Sequence, residues 1–255
     1  MSNRLLCCTV AATADIAPNL RRITLHSPGF FGYKLDGPDE FFGLLMPQPG
    51  QEFTPFPSSE PNIRASVAAL PADIRPGLRW YTIRSVDPVQ GLLDFDVVLH
   101  QDAPGPGSHW TSTASVGDTC GFWNCQALWQ PTAGPQVLVA DATGTPALLS
   151  ILDQLDSLAS TSALVVTPSL EDIELDALEQ LPLRNLAVHV APPAEAPSTL
   201  NDVLSDWSLT DTTKLWASGE DRLVKAARAF GIKSLGMNSK DITFVPFWYE
   251  GRPRP

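Results

Sequence analysis

The chain has 255 residues, 44% of them apolar and 18% charged, with a formal net charge of −11. That length holds one large domain or two of ordinary size, and the acidic balance excludes nucleic acid as a general partner, because phosphate backbones attract clustered Lys and Arg. No apolar run is long enough to cross a bilayer and the N-terminus has no signal-peptide layout, so a cytoplasmic protein with no stable membrane association is expected.

Arg4 to Ala12 and Leu20 to Ser27 read as strands around an Ala17-Pro18-Asn19 turn. Gln48 to Pro76 is rich in Pro, Ser and Ala, a long connection of the kind that covers a site. Pro76-Gly77 then marks a turn, and Trp80, Tyr81, Thr82 and Ile83 are strand formers, so Arg79 to Arg84 is a strand. Alternation sends Arg79, Tyr81 and Ile83 to one face and Trp80, Thr82 and Arg84 to the other. A cation, a flat ring and a hydroxyl so close together suit a flavin dinucleotide, with its diphosphate, planar heterocycle and hydrogen-bonding ring nitrogen. A half-buried strand with a surface Arg is the plain alternative.

Val86 to His100 gives a hairpin turning at Asp87-Pro88 and Gln90-Gly91, in which Leu93, Phe95, Val97 and Leu99 alternate with Asp94, Asp96, Val98 and His100. The Gly-rich loop Gln101 to Gly107 leads into Ser108-His109-Trp110. Where such a loop enters a helix, unpaired backbone N–H groups and a positive dipole end face outward, which makes Gly107 and Ser108 a diphosphate site; otherwise Ser108 is an ordinary helix cap. Cys7, Cys8, Cys120 and Cys125 form no CxxC pattern and have no His cluster beside them, so free thiols and no metal site are expected.

The pattern changes after Pro131. Strands at 136–140, 162–167, 186–190, 214–218 and 241–249 alternate with helices at 147–158, 170–181 (acidic), 200–207 and 219–230. This predicts a mostly parallel α/β sheet, whose ligands bind at the carboxyl ends of the strands. The expected organisation is a β-domain over 1–132 and a nucleotide-binding-like α/β domain over 133–255. Charge is uneven too: Ser85 to Leu183 has no Lys or Arg, whereas Lys214 to Pro255 holds eight basic and four acidic residues. Anionic ligands are drawn to that segment or to the early arginines.

Arg79-Trp80-Tyr81-Thr82-Ile83-Arg84 resembles the Arg-x-Tyr-Thr-x-Arg flavin signature of the siderophore-interacting proteins, the FAD-dependent ferric-siderophore reductases of the ferredoxin-reductase-like superfamily. Pro18 to Leu25, Glu40 to Pro47, a His at position 100, Ser108-His109-Trp110 and Val116 to Thr119 match that family in order. So do Asp141-Ala142-Thr143-Gly144-Thr145-Pro146, Trp216 to Glu220 and the ending Val245 to Arg252. The resemblance implies an antiparallel Greek-key flavin-binding β-barrel followed by a mostly parallel α/β domain. It assigns the diphosphate to Arg79, the isoalloxazine to Tyr81 and the flavin N5 to Thr82, with Trp80, Arg84, His100, Gly107, Ser108 and Trp110 also on the cofactor. In the second domain it assigns Asp141, Thr143, Gly144, Pro146, Gly219 and Glu220. Trp248 lies over the flavin edge or closes the sheet.

Four departures stand out: Gly43 where a Lys is common, Phe122 to Trp129 where relatives have a Gly-Pro-x-Gly-Ser loop, Ala142 where a Glu is common, and no basic residue around Val190 to Pro193. Trp123 and Trp129 stack on adenine or plug the domain junction. The resemblance implies reduction of a ferric siderophore, with FAD as cofactor and NADPH, NADH or a reduced ferredoxin as donor. The rivals are a flavin reductase with another acceptor and a non-catalytic ferric-siderophore binder.

Overall fold

A computed structural model describes residues 5–57, 62–99 and 106–251. The chain divides into two compact units, Met1–Ala127 and Leu128–Pro255. His100 and the Gln101 to Gly105 part of the Gly-rich loop lie outside the described residues, as do Arg4, Arg252 and Arg254.

The first unit contains β1 (Leu5–Ala17), β2 (Leu20–His26), β3 (Phe41–Met46), α1 (Ile63–Ala68), β4 (Gly77–Thr82), β5 (Ser85–Asp87), β6 (Leu92–Val98), α2 (Pro106–Thr113) and β7 (Thr119–Asn124). Its seven strands form one antiparallel sheet in the order β4-β3-β7-β1-β2-β6-β5. The insertion of β7 between β1 and β3 is a Greek-key crossing. The two edge strands, β4 and β5, are consecutive in the chain. Between them the Ile83 N–H donates back to Glu40 O and the Arg84 N–H donates forward to Asp94 O. One stretch of chain therefore closes the sheet on itself, which removes the exposed edges a flat sheet would carry.

Alternation fills the interior: Leu93, Phe95 and Val97 are buried with Ile23, Leu25, Phe42, Leu44 and Phe122 in one cluster. The long connection is not structureless, since it contains α1. Asn62 Oδ1 caps that helix by accepting from the Arg64 N–H. Ile63 and Val67, one turn apart, bury themselves against Leu45, Phe53 and Trp123 on the outer side of the sheet.

The second unit contains β8 (Gln136–Ala140), α3 (Thr145–Asp153), β9 (Thr161–Thr167), α4 (Leu175–Glu179), β10 (Asn185–Val190), α5 (Ala196–Asp206), β11 (Lys214–Glu220), α6 (Asp221–Lys233) and β12 (Ile242–Trp248). All pairings are parallel, in the order β10-β9-β8-β11-β12. Every residue of β8 and β9 is buried, which is why Val137 to Ala140 and Ala163 to Val166 read as apolar runs without alternation. The strand order reverses between β8 and β11, the topological switch point at which open α/β sheets take ligands.

The acidic helix expected over 170–181 is broken. Ser169 Oγ caps a 3-10 turn at Leu170–Asp172, Ile173 is extended at φ −135° and ψ 158°, and only Leu175–Glu179 is helical. Ile173 is 1% exposed. Burying that side chain requires the extended backbone and ends the helix.

Candidate functional site

In the first unit, β4 and the start of α2 face each other. A Cβ built at Gly107 would lie 2.2 Å from Tyr81 Oη and 3.2 Å from Arg79 Cγ, so only glycine lets the helix start this close to the strand. Arg79 is exposed, and its Nη1 donates to its neighbour's carbonyl, Leu78 O, at 2.7 Å. Tyr81 is tilted against Phe95 at a centroid distance of 5.2 Å. Burial pushes its phenol up from the ordinary value, against the pull of the Arg79 charge, so it remains a neutral donor. Ser108 is buried beside Gly107, and Trp110 packs on the barrel cluster.

Thr82 is 4% exposed, and its Oγ1 has no hydrogen-bond partner among the described residues. A buried orphan hydroxyl is costly unless something completes it. The start of α2 beside Arg79 offers N–H groups and a cation to a diphosphate, and this hydroxyl, on the opposite face of β4, lacks a partner that a flavin could supply, so the residues present fit that group.

Trp80 points the other way, as alternation requires. Its ring meets Phe41 edge-on at 6.0 Å, and the Arg64 guanidinium lies 5.8 Å from its centroid. Arg84 is half-buried between β4 and β5.

In the second unit, the Asp141 carboxylate sits at the end of β8 beside the switch point. Oδ1 accepts from Thr143 N at 2.8 Å, Thr143 Oγ1 at 2.7 Å and Gly144 N at 3.1 Å. Oδ2 accepts from Glu220 N at 2.7 Å and Trp248 Nε1 at 2.7 Å. One side chain thus ties together the ends of β8, β11 and β12. Burial pushes its carboxyl above the usual range, and the hydrogen bonds oppose that. Gly219, at φ 135°, is required here, since a Cβ would meet the Asp141 carboxylate at 2.5 Å. A Cβ at Gly144 would likewise meet Ser218 Oγ at 2.5 Å. Pro146 stands in the first turn of α3, where its fixed φ suits a helix start. Glu220 caps α6 by accepting from the Arg222 N–H at 2.6 Å.

The structure therefore gathers Arg79, Tyr81, Gly107 and Ser108 in one place and Asp141, Thr143, Gly144, Gly219, Glu220 and Trp248 in another. Trp80 belongs to a separate aromatic group. Trp123 is buried within the first unit, and Trp129 Nε1 donates to Gln136 Oε1 at 3.2 Å in the second. Sequence reasoning missed the Arg64 contact. The signal was Asn62 followed by apolar Ile63 and Val67 at helical spacing. It also missed the buried Ser218 Oγ beside Gly144, which has no hydrogen-bond partner among the described residues and which no local pattern announces.

Among the described residues no helix is long and apolar enough to cross a membrane. The ferric acinetobactin reductase of Acinetobacter baumannii is 28% identical over 192 residues, covering 72% of this chain and 65% of that protein. The chain spans less than two thirds of the length of the curated relatives it matches. The crystal structure of the siderophore-interacting protein SipS from Aeromonas hydrophila superposes with a TM-score of 0.79 at 28% identity, covering 98% of this chain and 93% of that one. A siderophore utilization protein from T. fusca shares the fold, with a TM-score of 0.80 at 23% identity over 100% of this chain and 96% of that one. The family model for the siderophore-interacting FAD-binding domain matches residues 9–128, and the one for siderophore-interacting proteins matches residues 133–251. With both models matched in order along the chain, this protein belongs to the siderophore-interacting protein family and carries its FAD-binding domain.

Proposed function

We propose that this chain is an FAD-dependent ferric-siderophore reductase that acts in the cytoplasm. Residues 1–132 hold the flavin, and residues 133–255 take electrons from NADPH, NADH or a reduced ferredoxin. The observation that carries the reading is the convergence of Arg79, Tyr81 and Gly107, with a buried, unpartnered Thr82 hydroxyl on the same strand. The likeness to a ferric acinetobactin reductase supports it.

Bound FAD supplies the passage from a two-electron donor to Fe(III), which accepts one electron. Arg79 and the N–H groups of Gly107 and Ser108 bind the diphosphate by charge-assisted hydrogen bonds. Tyr81, kept neutral by burial, covers one ring face and excludes water. Thr82 Oγ1 orients the N5 edge and finds there the partner it lacks. Asp141 and its donors hold the ends of β8 and β11 in place at the switch point, where the donor nucleotide binds. Siderophore oxygens bind hard Fe(III) far more tightly than Fe(II), so reduction itself frees the metal and the reaction needs no protein iron ligands.

A flavin reductase with another acceptor is favoured by one observation, the absence of the cation at Gly43. The test is an anaerobic spectrum of the FAD-loaded protein, first with NADH or NADPH and then with ferric siderophores and a ferrous trap. Bleaching followed by siderophore-dependent reoxidation and trapped Fe(II) is expected. Bleaching that no ferric siderophore reverses would leave the other acceptor as the better reading.

A further inference from the structure

All strands of the second unit run parallel, so its sheet has a carboxyl edge and an amino edge, and the charges divide between them. On the carboxyl edge Glu171 follows β9, Glu195 follows β10, Glu220 ends β11 and Glu250 follows β12. Among the described residues the cations nearest this edge are Arg222 and Lys225, in the first turns of α6. Both are taken, Arg222 by Glu250 at 3.1 Å and Lys225 by Asp221 at 2.7 Å. Glu171 and Glu195 are exposed, and no described cation pairs with either.

The other lysines of the 214–255 segment stand at the amino edge. Lys214 begins β11, Lys233 ends α6, and Lys240 lies in the turn just ahead of β12. Open α/β sheets take ligands at the carboxyl ends of their strands, so these three cations are at the end away from a bound nucleotide. The edge that receives the nucleotide is the acidic one.

We infer that this acidic edge makes NADH the electron donor and rejects NADPH, with Glu171 and Glu195 as the specificity-determining residues. The inference rests on the reading of the second unit as the donor site of a reductase. NADH gives up a hydride, two electrons with one proton, to bound FAD and leaves as NAD+. NADPH does the same chemistry with the same nicotinamide and diphosphate, and differs only by a 2′-phosphate on the adenosine ribose. That group adds about 1.5–2 negative charges at pH 7. Beside Glu171 and Glu195 it meets like charge and no unpaired cation, whereas a 2′-hydroxyl is a neutral donor that a carboxylate accepts.

The test is calorimetric titration of the FAD-loaded protein with NAD+ and NADP+, which bind without reducing the flavin. NAD+ should bind about tenfold or more tightly than NADP+ at about 0.01 M salt, and the gap should narrow at about 1 M, where charges are screened within about 3 Å. At about 0.1 M salt, Glu171→Lys and Glu195→Lys should each strengthen NADP+ by roughly threefold and change NAD+ less. Asp206→Lys makes the same change in net charge at the exposed end of α5, on the amino edge, and should leave the ratio of the two affinities as it was. Equal or tighter binding of NADP+, or an equal effect of Asp206→Lys, overturns the inference. Binding of neither nucleotide also overturns it, and leaves the reductase with a reduced ferredoxin as donor. A protein that prefers NAD+ in this way, and whose flavin NADH bleaches but no ferric siderophore reoxidises, keeps the inference and removes the siderophore reductase.

Discussion

The indole N–H of Trp248 reaches Asp141 Oδ2 at 2.7 Å, joining residues 107 positions apart. All five partners of that carboxylate are donors, three on Oδ1 and two on Oδ2. Asp141→Asn therefore turns an amide –NH2 toward the Glu220 and Trp248 donors, and each buried group left unmatched costs about 1–3 kcal/mol. Urea unfolding should show a loss of roughly 2–4 kcal/mol for Asp141→Asn, against about 1 kcal/mol for Trp248→Phe, which deletes a single bond. The reverse order would mean that Asp141 does not organise these strand ends.

Arg79→Ala should weaken FAD retention far more than Arg222→Ala. Arg79 is exposed beside Gly107, whereas Arg222 is held in an ion pair with Glu250 at 3.1 Å. Loss of a charge-assisted phosphate contact costs about 1.5–3 kcal/mol, or roughly ten- to over a hundredfold in affinity. Equal retention of flavin by the two purified variants would remove Arg79 from the diphosphate.

Gly107→Ala tests the approach of helix to strand. Its methyl would occupy space 2.2 Å from Tyr81 Oη, so α2 must shift or Tyr81 must turn. Overpacking of this kind costs about 1–3 kcal/mol. Thermal unfolding should fall and FAD content with it, and a variant as stable and as yellow as the parent would mean that α2 approaches β4 less tightly than described.

Glu40 gives a pH dependence. Its carboxyl is 1% exposed and accepts from Tyr33 Oη and from the Asp36 N–H, each at 2.5 Å. Burial pushes it above its ordinary value; those two bonds pull it down, and the charges of Asp36 and Asp39 push it up again. The folded state thus holds this proton more tightly than the unfolded chain. Its contribution is full below the unfolded value of about 4.3 and is lost as pH rises through the folded value. The stability gap between the parent and Glu40→Gln should therefore narrow as pH rises from about 4. A gap that widens would reverse the sign of the Glu40 shift.

The two-unit architecture was readable because each half keeps its own period. Leu93, Phe95 and Val97 alternate into the barrel, while Val137 to Ala140 in β8 and Ala163 to Val166 in β9 are continuous apolar runs, each strand followed by a turn and a helix. Arg79 and Tyr81 were readable as a pair because strand alternation alone puts them on one face. The Asp141 bonds were not, since Glu220 and Trp248 reach that carboxylate only when β8, β11 and β12 lie side by side. The helix α1 escaped notice because six residues carry too little periodicity to stand out of a Pro-rich connection. The helix over 170–181 failed because the demand to bury Ile173 outweighed local propensity.

The stretch that closes the barrel also orders its assembly. β5 pairs with β6 through the tight Asp87–Gly91 turn, whereas β4 must find β3 across the whole connection that contains α1. Loop-closure entropy makes the second seam the slower one to form. A ligand gripping Arg79 and Tyr81 fastens that late seam from outside. Backbone amides along β3 and β4 should then exchange with deuterium faster in flavin-depleted protein, while those of β1 and β2 hold their protection.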